Sequence, residues 1–203
     1  IPWIRMFAAW SGTPLKDVWQ VLWEAGYEAL SKLGQPRMAA IVMQGWFREL
    51  LVGSGFDHTD NVVMLMWERG SSLPHPRPIT GMIRAMMPED LDTVGKIDAL
   101  AFEEEWRNSA SALELAYQQS AFATVAVDDG RVIGYQISTT SLAGGHLARL
   151  AVLPEVQCRG TGYALVHNLL DELQQRGISH VTVNTQQDNL ASLAVYARAG
   201  FKQ

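Results

Sequence analysis

The chain has 203 residues, 48% hydrophobic and 18% charged, a balance that fits a folded globular protein and excludes a disordered one. Its formal net charge of -5 argues against the clustered Lys and Arg that nucleic acid or anionic membrane would require, so neither is expected as a partner. The one cysteine, Cys158, leaves no internal disulfide and no Cys/His zinc spacing, so no metal is expected and a reducing, cytoplasmic setting is.

In chain order, "WIRMFAAW" reads as a strand, "PLKDVWQVLWEAGYEALSKLG" as a helix and "MAAIVM" as a strand. "GWFRELLVGSGF" follows as a helix ending in Gly55-Phe56, and "NVVMLMW" as a closing strand. The opening residues lack the basic segment and small-residue cleavage site of a secretory signal, and the longest apolar run, residues 62–67, is far below the ~20 residues of a membrane span. Six of the seven tryptophans lie before Gly70, where "GSSLPHPRP" places three prolines that disfavour both helix and ladder. The expected organisation is therefore a first unit over 1–69, a linker over 70–78 and a second unit over 79–203.

The second unit alternates strand and helix. Residues 79–86 read as a strand, and "MPEDLDTVGKIDALAF" as a helix opened by Pro88 with Glu89 and Asp90 at the positive end of its dipole. A second helical stretch covers 109–119, and "FATVAVDDGRVIGYQISTT" is two β-rich runs joined by an Asp129-Gly130 hairpin turn. "HLARLAVL" is a further apolar strand. After "QCRGTGYA", Leu165, Leu169, Leu170 and Leu173 recur at helical spacing up to Gly177. "HVTVNT" is another strand, and "NLASLAVYARAG" a last helix stopped by Gly200. The whole predicts an α/β fold with mixed strand directions, in which both units run strand, helix, strand, helix, Gly-Phe, as in a degenerate duplication.

"QCRGTGYA" is a strand-to-helix junction through two glycines, and three phosphate devices compete for it. A P-loop needs Lys and Ser/Thr after the final Gly, where Tyr163 and Ala164 stand; a dinucleotide fingerprint needs a third small residue where Leu165 stands. What remains is either a bare tight turn or a loop whose amides converge on an anion at the helix's positive end, with Arg159 adding a charge-assisted bond.

"LARLAVLPEVQCRGTGYALVHNLL" followed by "VTVNTQQDNLASLAVYARAGF" resembles the GNAT superfamily of acyl-CoA-dependent N-acetyltransferases. The family's pyrophosphate loop is met by Gln157, Gly160 and Gly162, and its later signature by Asn189, Tyr196, Gly200 and Phe201. The resemblance implies a mixed, mostly antiparallel sheet with a splayed central strand pair and flanking helices. It also implies two units in tandem, the first lacking the cofactor loop. It further implies acetyl-CoA as cosubstrate, held by backbone groups of Leu150 and Val152 and by Gln157, Arg159, Gly160, Gly162, Tyr163, Ala164 and Asn189. The acceptor would be a small-molecule or peptide amine, and a homodimer is allowed.

Direct acyl transfer to an amine requires a held thioester, a neutral amine and a departing thiolate. By the same resemblance Tyr196 is expected to protonate or hydrogen-bond that thiolate, its alternative being a phenol merely buried on an amphipathic helix. Asn189 is expected to cap the last helix as well. Base candidates are Glu103, Glu104 and Glu105, whose alternative is a solvated acidic run, and His146 at the mouth of the central strand, whose alternative is a surface or strand-end histidine; a water chain could replace all four. Cys158, without a paired His, is read as incidental. The rival reading is a non-catalytic acyl-CoA-binding sensor or assembly module.

Overall fold

A computed structural model describes residues 1–4, 6–34 and 37–203, and the chain divides into two compact units, Ile1–Asp60 and Asn61–Gln203.

In the first unit, β1 (Trp3–Ile4) and β2 (Ala39–Ala40) pair in parallel, Trp3 opposite Ala39. Parallel pairing is what an intervening helix imposes, here α1 (Leu15–Lys32). Helix α2 (Gly45–Gly53) follows. The strand expected over residues 3–10 is shorter than its apolar pattern: residues 6–10 are not strand, and Arg5 lies outside the described residues. Aromatic contacts take over the packing, with the Phe7 ring 5.3 Å from Trp19 and Trp19 5.4 Å from Phe47. The Trp19 indole N–H donates to Ser54 Oγ at 2.8 Å, which satisfies the polar end of a buried ring.

The second unit is a six-stranded sheet in the order β3-β8-β7-β6-β5-β4. Its strands are β3 (Val62–Glu68), β4 (Met82–Ala85), β5 (Phe122–Asp128), β6 (Arg131–Ser141), β7 (Gly144–Val152) and β8 (His180–Gln186). Every pairing is antiparallel except β7 with β8. Helices α3 (Leu91–Ala101), α4 (Ala110–Gln118), α5 (Thr161–Gln175) and α6 (Leu190–Arg198) flank it. The mixed, mostly antiparallel α/β fold matches the sequence reading.

One boundary differs. Residues 62–68 do not close the first unit: β3 lies antiparallel on β8 from Val62 opposite Gln186 to Glu68 opposite His180. The division therefore falls after Asp60 rather than after residue 69. The reason is physical, since an alternating apolar run fits any half-covered sheet edge. Leu65 and Trp67 are buried with Val183 and Phe201, whereas Met64 and Met66 are exposed. On its other edge Met66 exchanges two backbone bonds with Lys202, at 2.7 and 2.9 Å.

The two faces of the sheet carry different helices. Successive strand residues face opposite sides. Tyr135 of β6 reaches Asp98 of α3, while a Cβ on neighbouring Gly134 would meet Leu165 of α5 at 3.4 Å. Helices α3 and α5 therefore lie on opposite faces. The segment expected as a linker, 70–78, runs against α5, where the Tyr163 hydroxyl donates to the Pro74 carbonyl and the His75 ring lies 5.6 Å from His167.

Candidate functional site

The parallel pair β7–β8 is paired only from Gly145 opposite Val181 to Leu147 opposite Val183. Beyond that point the strands part. The pairing of β7 with β6 explains why: Ser138 faces Leu147 and Ile137 faces Arg149, so Ala148 is an extra residue, a bulge that bends β7 where β8 departs. The bent edge keeps a defined polarity. Leu153 N–H donates to Ile133 O at 2.9 Å on the β6 side, and alternation then turns the amides of Leu150 and Val152 toward the gap. The Val152 carbonyl, on that same side, accepts from Gln157 Nε2 at 3.0 Å.

Three residues past Pro154 the chain enters the glycine junction. The backbone is left-handed at Cys158 (φ 61°) and Gly160 (φ 94°). Such a conformation turns backbone N–H groups to one side as an anion-binding concavity. Gly160 is needed for that φ and not for room, because a Cβ there would meet only Ile79 Cγ2, at 3.8 Å. It is the N-cap of α5, and the first helical bond closed after it is Ala164 N–H to Gly160 O, 2.9 Å. The amides of Thr161, Gly162 and Tyr163 precede that closure and have no carbonyl within the helix to bond. The Arg159 guanidinium is exposed and donates to Glu155 O at 3.3 Å.

Tyr196 of α6 is 4% exposed and packs in the cluster that contains Leu147 and Val183, the last paired residues before the gap. Burial pushes its phenol up to about 12, a Ser192 hydrogen bond opposing the shift. Asn189 is the N-cap of the same helix, its Oδ1 accepting from Ser192 N–H at 3.0 Å. His146 is half-buried, its Nδ1 2.9 Å from Thr182 Oγ1, and burial holds its pKa below the ordinary imidazole value. Glu103 and Glu104 are exposed, and residues Glu104–Trp106 form a 3-10 turn after α3. Among the described residues no group of His, Cys, Asp and Glu is placed to hold a metal, and no helix is long and apolar enough to cross a membrane.

The family model of the acetyltransferase (GNAT) family matches residues 91–201, more than half of the chain and all of the gap, loop and α6. The chain belongs to the GNAT family. It is 32% identical over 75 residues to the [ribosomal protein bS18]-alanine N-acetyltransferase of Escherichia coli (strain K12), covering 37% of this chain and 51% of that enzyme. It is 29% identical over 148 residues to the mycothiol acetyltransferase of Saccharomonospora viridis, covering 64% of this chain and 48% of that protein. The chain thus spans about half the length of these curated relatives. The PaiA N-acetyltransferase of Thermoplasma acidophilum, solved in complex with coenzyme A, shares the fold with a TM-score of 0.55 at 20% identity, over 60% of this chain and 89% of that one.

Within this GNAT domain the sequence-expected residues fall into three groups. Leu150, Val152, Gln157, Arg159, Gly160 and Gly162 form one continuous edge from the gap into α5. Tyr163 and Ala164 share that helix terminus, but the Tyr163 hydroxyl is committed to Pro74 O and the Ala164 amide to Gly160 O. Tyr196 and Asn189 lie on α6. His146 and Glu104 come from the paired end of β7 and from the turn after α3. Sequence reasoning missed a buried polar group beside the site: Asp98, Tyr135 and Arg149. Two signals could have found it. Asp98 sits on the apolar stripe of α3 with Val94 and Ile97, and Arg149 interrupts the apolar strand "LARLAVL".

Proposed function

We propose that the chain transfers an acetyl group from acetyl-CoA to a primary amine, by direct attack of the amine. The observation that carries this reading is the edge on which gap-facing amides of Leu150 and Val152 run into the unpaired amides at the start of α5. The first group suits an amide-bearing pantetheine arm, and the second a diphosphate, which the helix terminus attracts through its dipole. Arg159, exposed beside the loop, adds a positive charge. Acetyl-CoA when bound supplies an activated acyl carbon and a thiolate leaving group. The chain's own residues supply orientation and a proton.

Tyr196 is the proposed donor. With its phenol near about 12, full transfer to a thiolate near ~8.5 is uphill by roughly 5 kcal/mol, so it acts by donating a hydrogen bond rather than by ionising. His146 is the better supported base. Its depressed pKa leaves the ring neutral at neutral pH, and it shares the α3 face of the sheet with Arg149. Glu104, exposed on the turn after α3, is proposed to draw in a cationic amine that enters beside this turn. Asn189 fixes the entry of α6, and so the position of Tyr196, and is proposed to touch coenzyme A as well.

The acceptor is proposed to be a peptide or protein amine. The E. coli relative is named for an alanine of a ribosomal protein. An α-amine near ~8 needs far less deprotonation than a lysine near ~10.4, which suits a site with one partly buried imidazole. The order β1-α1-β2-α2 in the first unit parallels β7-α5-β8-α6 in the second, each with a parallel strand pair around a helix, which supports a degenerate tandem arrangement with the competent site in the second unit.

The test has two arms. Calorimetry with acetyl-CoA and with ATP should show binding of the first alone. Thiol release is then followed with tetrapeptides carrying a free α-amine, the same peptides blocked, and an Nα-blocked lysine amide. Release with the free-amine set supports the proposal. Tight acetyl-CoA binding without release from any amine would leave an acyl-CoA-binding module, and no binding at all would refute both.

A further inference from the structure

Asp98 is fully buried on α3, yet its carboxylate accepts from groups outside that helix. Its Oδ1 accepts from the Asn108 amide at 2.9 Å. Its Oδ2 accepts from the Tyr135 hydroxyl at 2.5 Å and from Arg149 Nε at 2.7 Å. Arg149, with 15% of its side chain exposed, sends Nη2 to the Trp106 carbonyl at 2.7 Å and lays its guanidinium carbon 3.4 Å from the centre of the Phe102 ring. Two charged side chains therefore reach the connection between α3 and α4 at Phe102, Trp106 and Asn108. Tyr135 anchors them from the middle of β6, where burial raises its phenol pKa and keeps it a donor.

The geometry uses properties that only arginine combines: a planar fork that serves a carboxylate and a carbonyl at once, and a face that stacks on an aromatic ring. An ion pair kept only for stability would need neither the carbonyl nor the ring, since buried pairs are often replaceable by apolar packing at no cost. Arg149 also precedes Leu150, whose amide faces the gap, and sits directly after the bulge at Ala148.

We propose that Arg149 is a positioning residue that fixes the 102–108 connection beside the β7 edge, and with it the wall of the site that meets the acceptor amine. The inference rests on the reading that the amine enters beside this connection. Asp98 supplies the counter-charge and Tyr135 holds Asp98 in place.

The experiment compares wild type with Arg149→Lys, which keeps a charge for Asp98 but loses the fork and the stacking plane. Arg149→Gln serves as a second variant. Hydrogen–deuterium exchange reports the 102–108 peptide, and thiol-release kinetics use the most active free-amine tetrapeptide of the panel above. In Arg149→Lys the 102–108 amides should exchange about tenfold faster, and KM for the peptide should rise about tenfold with a smaller change in kcat, while acetyl-CoA affinity stays within about twofold. Arg149→Gln should raise exchange and the peptide KM further, with acetyl-CoA affinity again within about twofold. Unchanged exchange in both variants, or an equal loss of acetyl-CoA and peptide affinity, would overturn the proposal. So would an Arg149→Lys chain that does not fold, because the pair would then serve only stability. If wild type turns over no amine, the functional reading fails on its own and exchange still decides the clamp.

Discussion

Replacing Gly160 with Asp tests the loop most directly. At φ 94° an L-residue costs about 1–2 kcal/mol, Asp being one of the few side chains that visit this region. The new Cβ meets only Ile79 Cγ2 at 3.8 Å, an ordinary contact, and a carboxylate at the start of α5 returns about 0.3–1 kcal/mol through the helix dipole. The net loss of stability should stay below about 2 kcal/mol, or a few degrees in melting temperature. Binding should suffer more. A carboxylate about 5 Å from a diphosphate charge costs roughly 3 kcal/mol per charge at an effective dielectric of about 20, and screening at this half-open site lowers that. Coenzyme A affinity should therefore drop about ten- to hundredfold, measured by calorimetry beside thermal melts of the same samples. Gly160→Ala carries the strain without the charge and should lose less than about tenfold. A folded Gly160→Asp chain that binds coenzyme A within about threefold of wild type would remove the loop from the site.

Tyr196→Phe should lower kcat by about tenfold or more with acetyl-CoA affinity little changed, and unaltered thiol release would end its role as donor. Because the phenol stays protonated to about 12, the wild-type rate should show no alkaline fall from this group below about pH 11. Asn189→Ala removes the side-chain bond to Ser192 N–H and should cost about 1 kcal/mol in urea unfolding; a loss below about 0.3 kcal/mol would deny the cap. For His146 the folded pKa lies below the unfolded one, so the unfolded chain binds the proton first and stability falls as pH drops below about 6.5. The difference in urea midpoint between pH 7.5 and 5 should be smaller in His146→Asn than in wild type, and an equal difference would contradict the burial of that ring.

What the sequence disclosed follows from the range of the interactions involved. The glycine junction was legible because its requirement is local: a left-handed residue at a strand-to-helix turn calls for glycine at Gly160 itself. The order of helices and strands in the second unit was legible for the same reason, through periodicity and stops such as Gly177 and Gly200. The destination of β3 was not, since "VVMLMWE" carries the alternation of a half-covered strand but no mark of the sheet it joins. The polar group beneath the site was hidden by distance along the chain: Tyr135 lies 37 residues from Asp98, and Arg149 lies 51 from it. Charges placed in apolar patterns were the only trace.

Ala148 is taken up by the sheet without changing which residues share a face. Because it has no counterpart on β6, His146 and Arg149 lie opposite Thr139 and Ile137 and share one face of the sheet, although three positions apart a regular strand would set them back to back. Deleting that single alanine would bring His146 and Arg149 two positions apart in a regular strand, so each would keep its present face and what would be lost is the bend where β8 leaves β7. An insertion absorbed in this way opens the sheet without turning over the side chains that flank it.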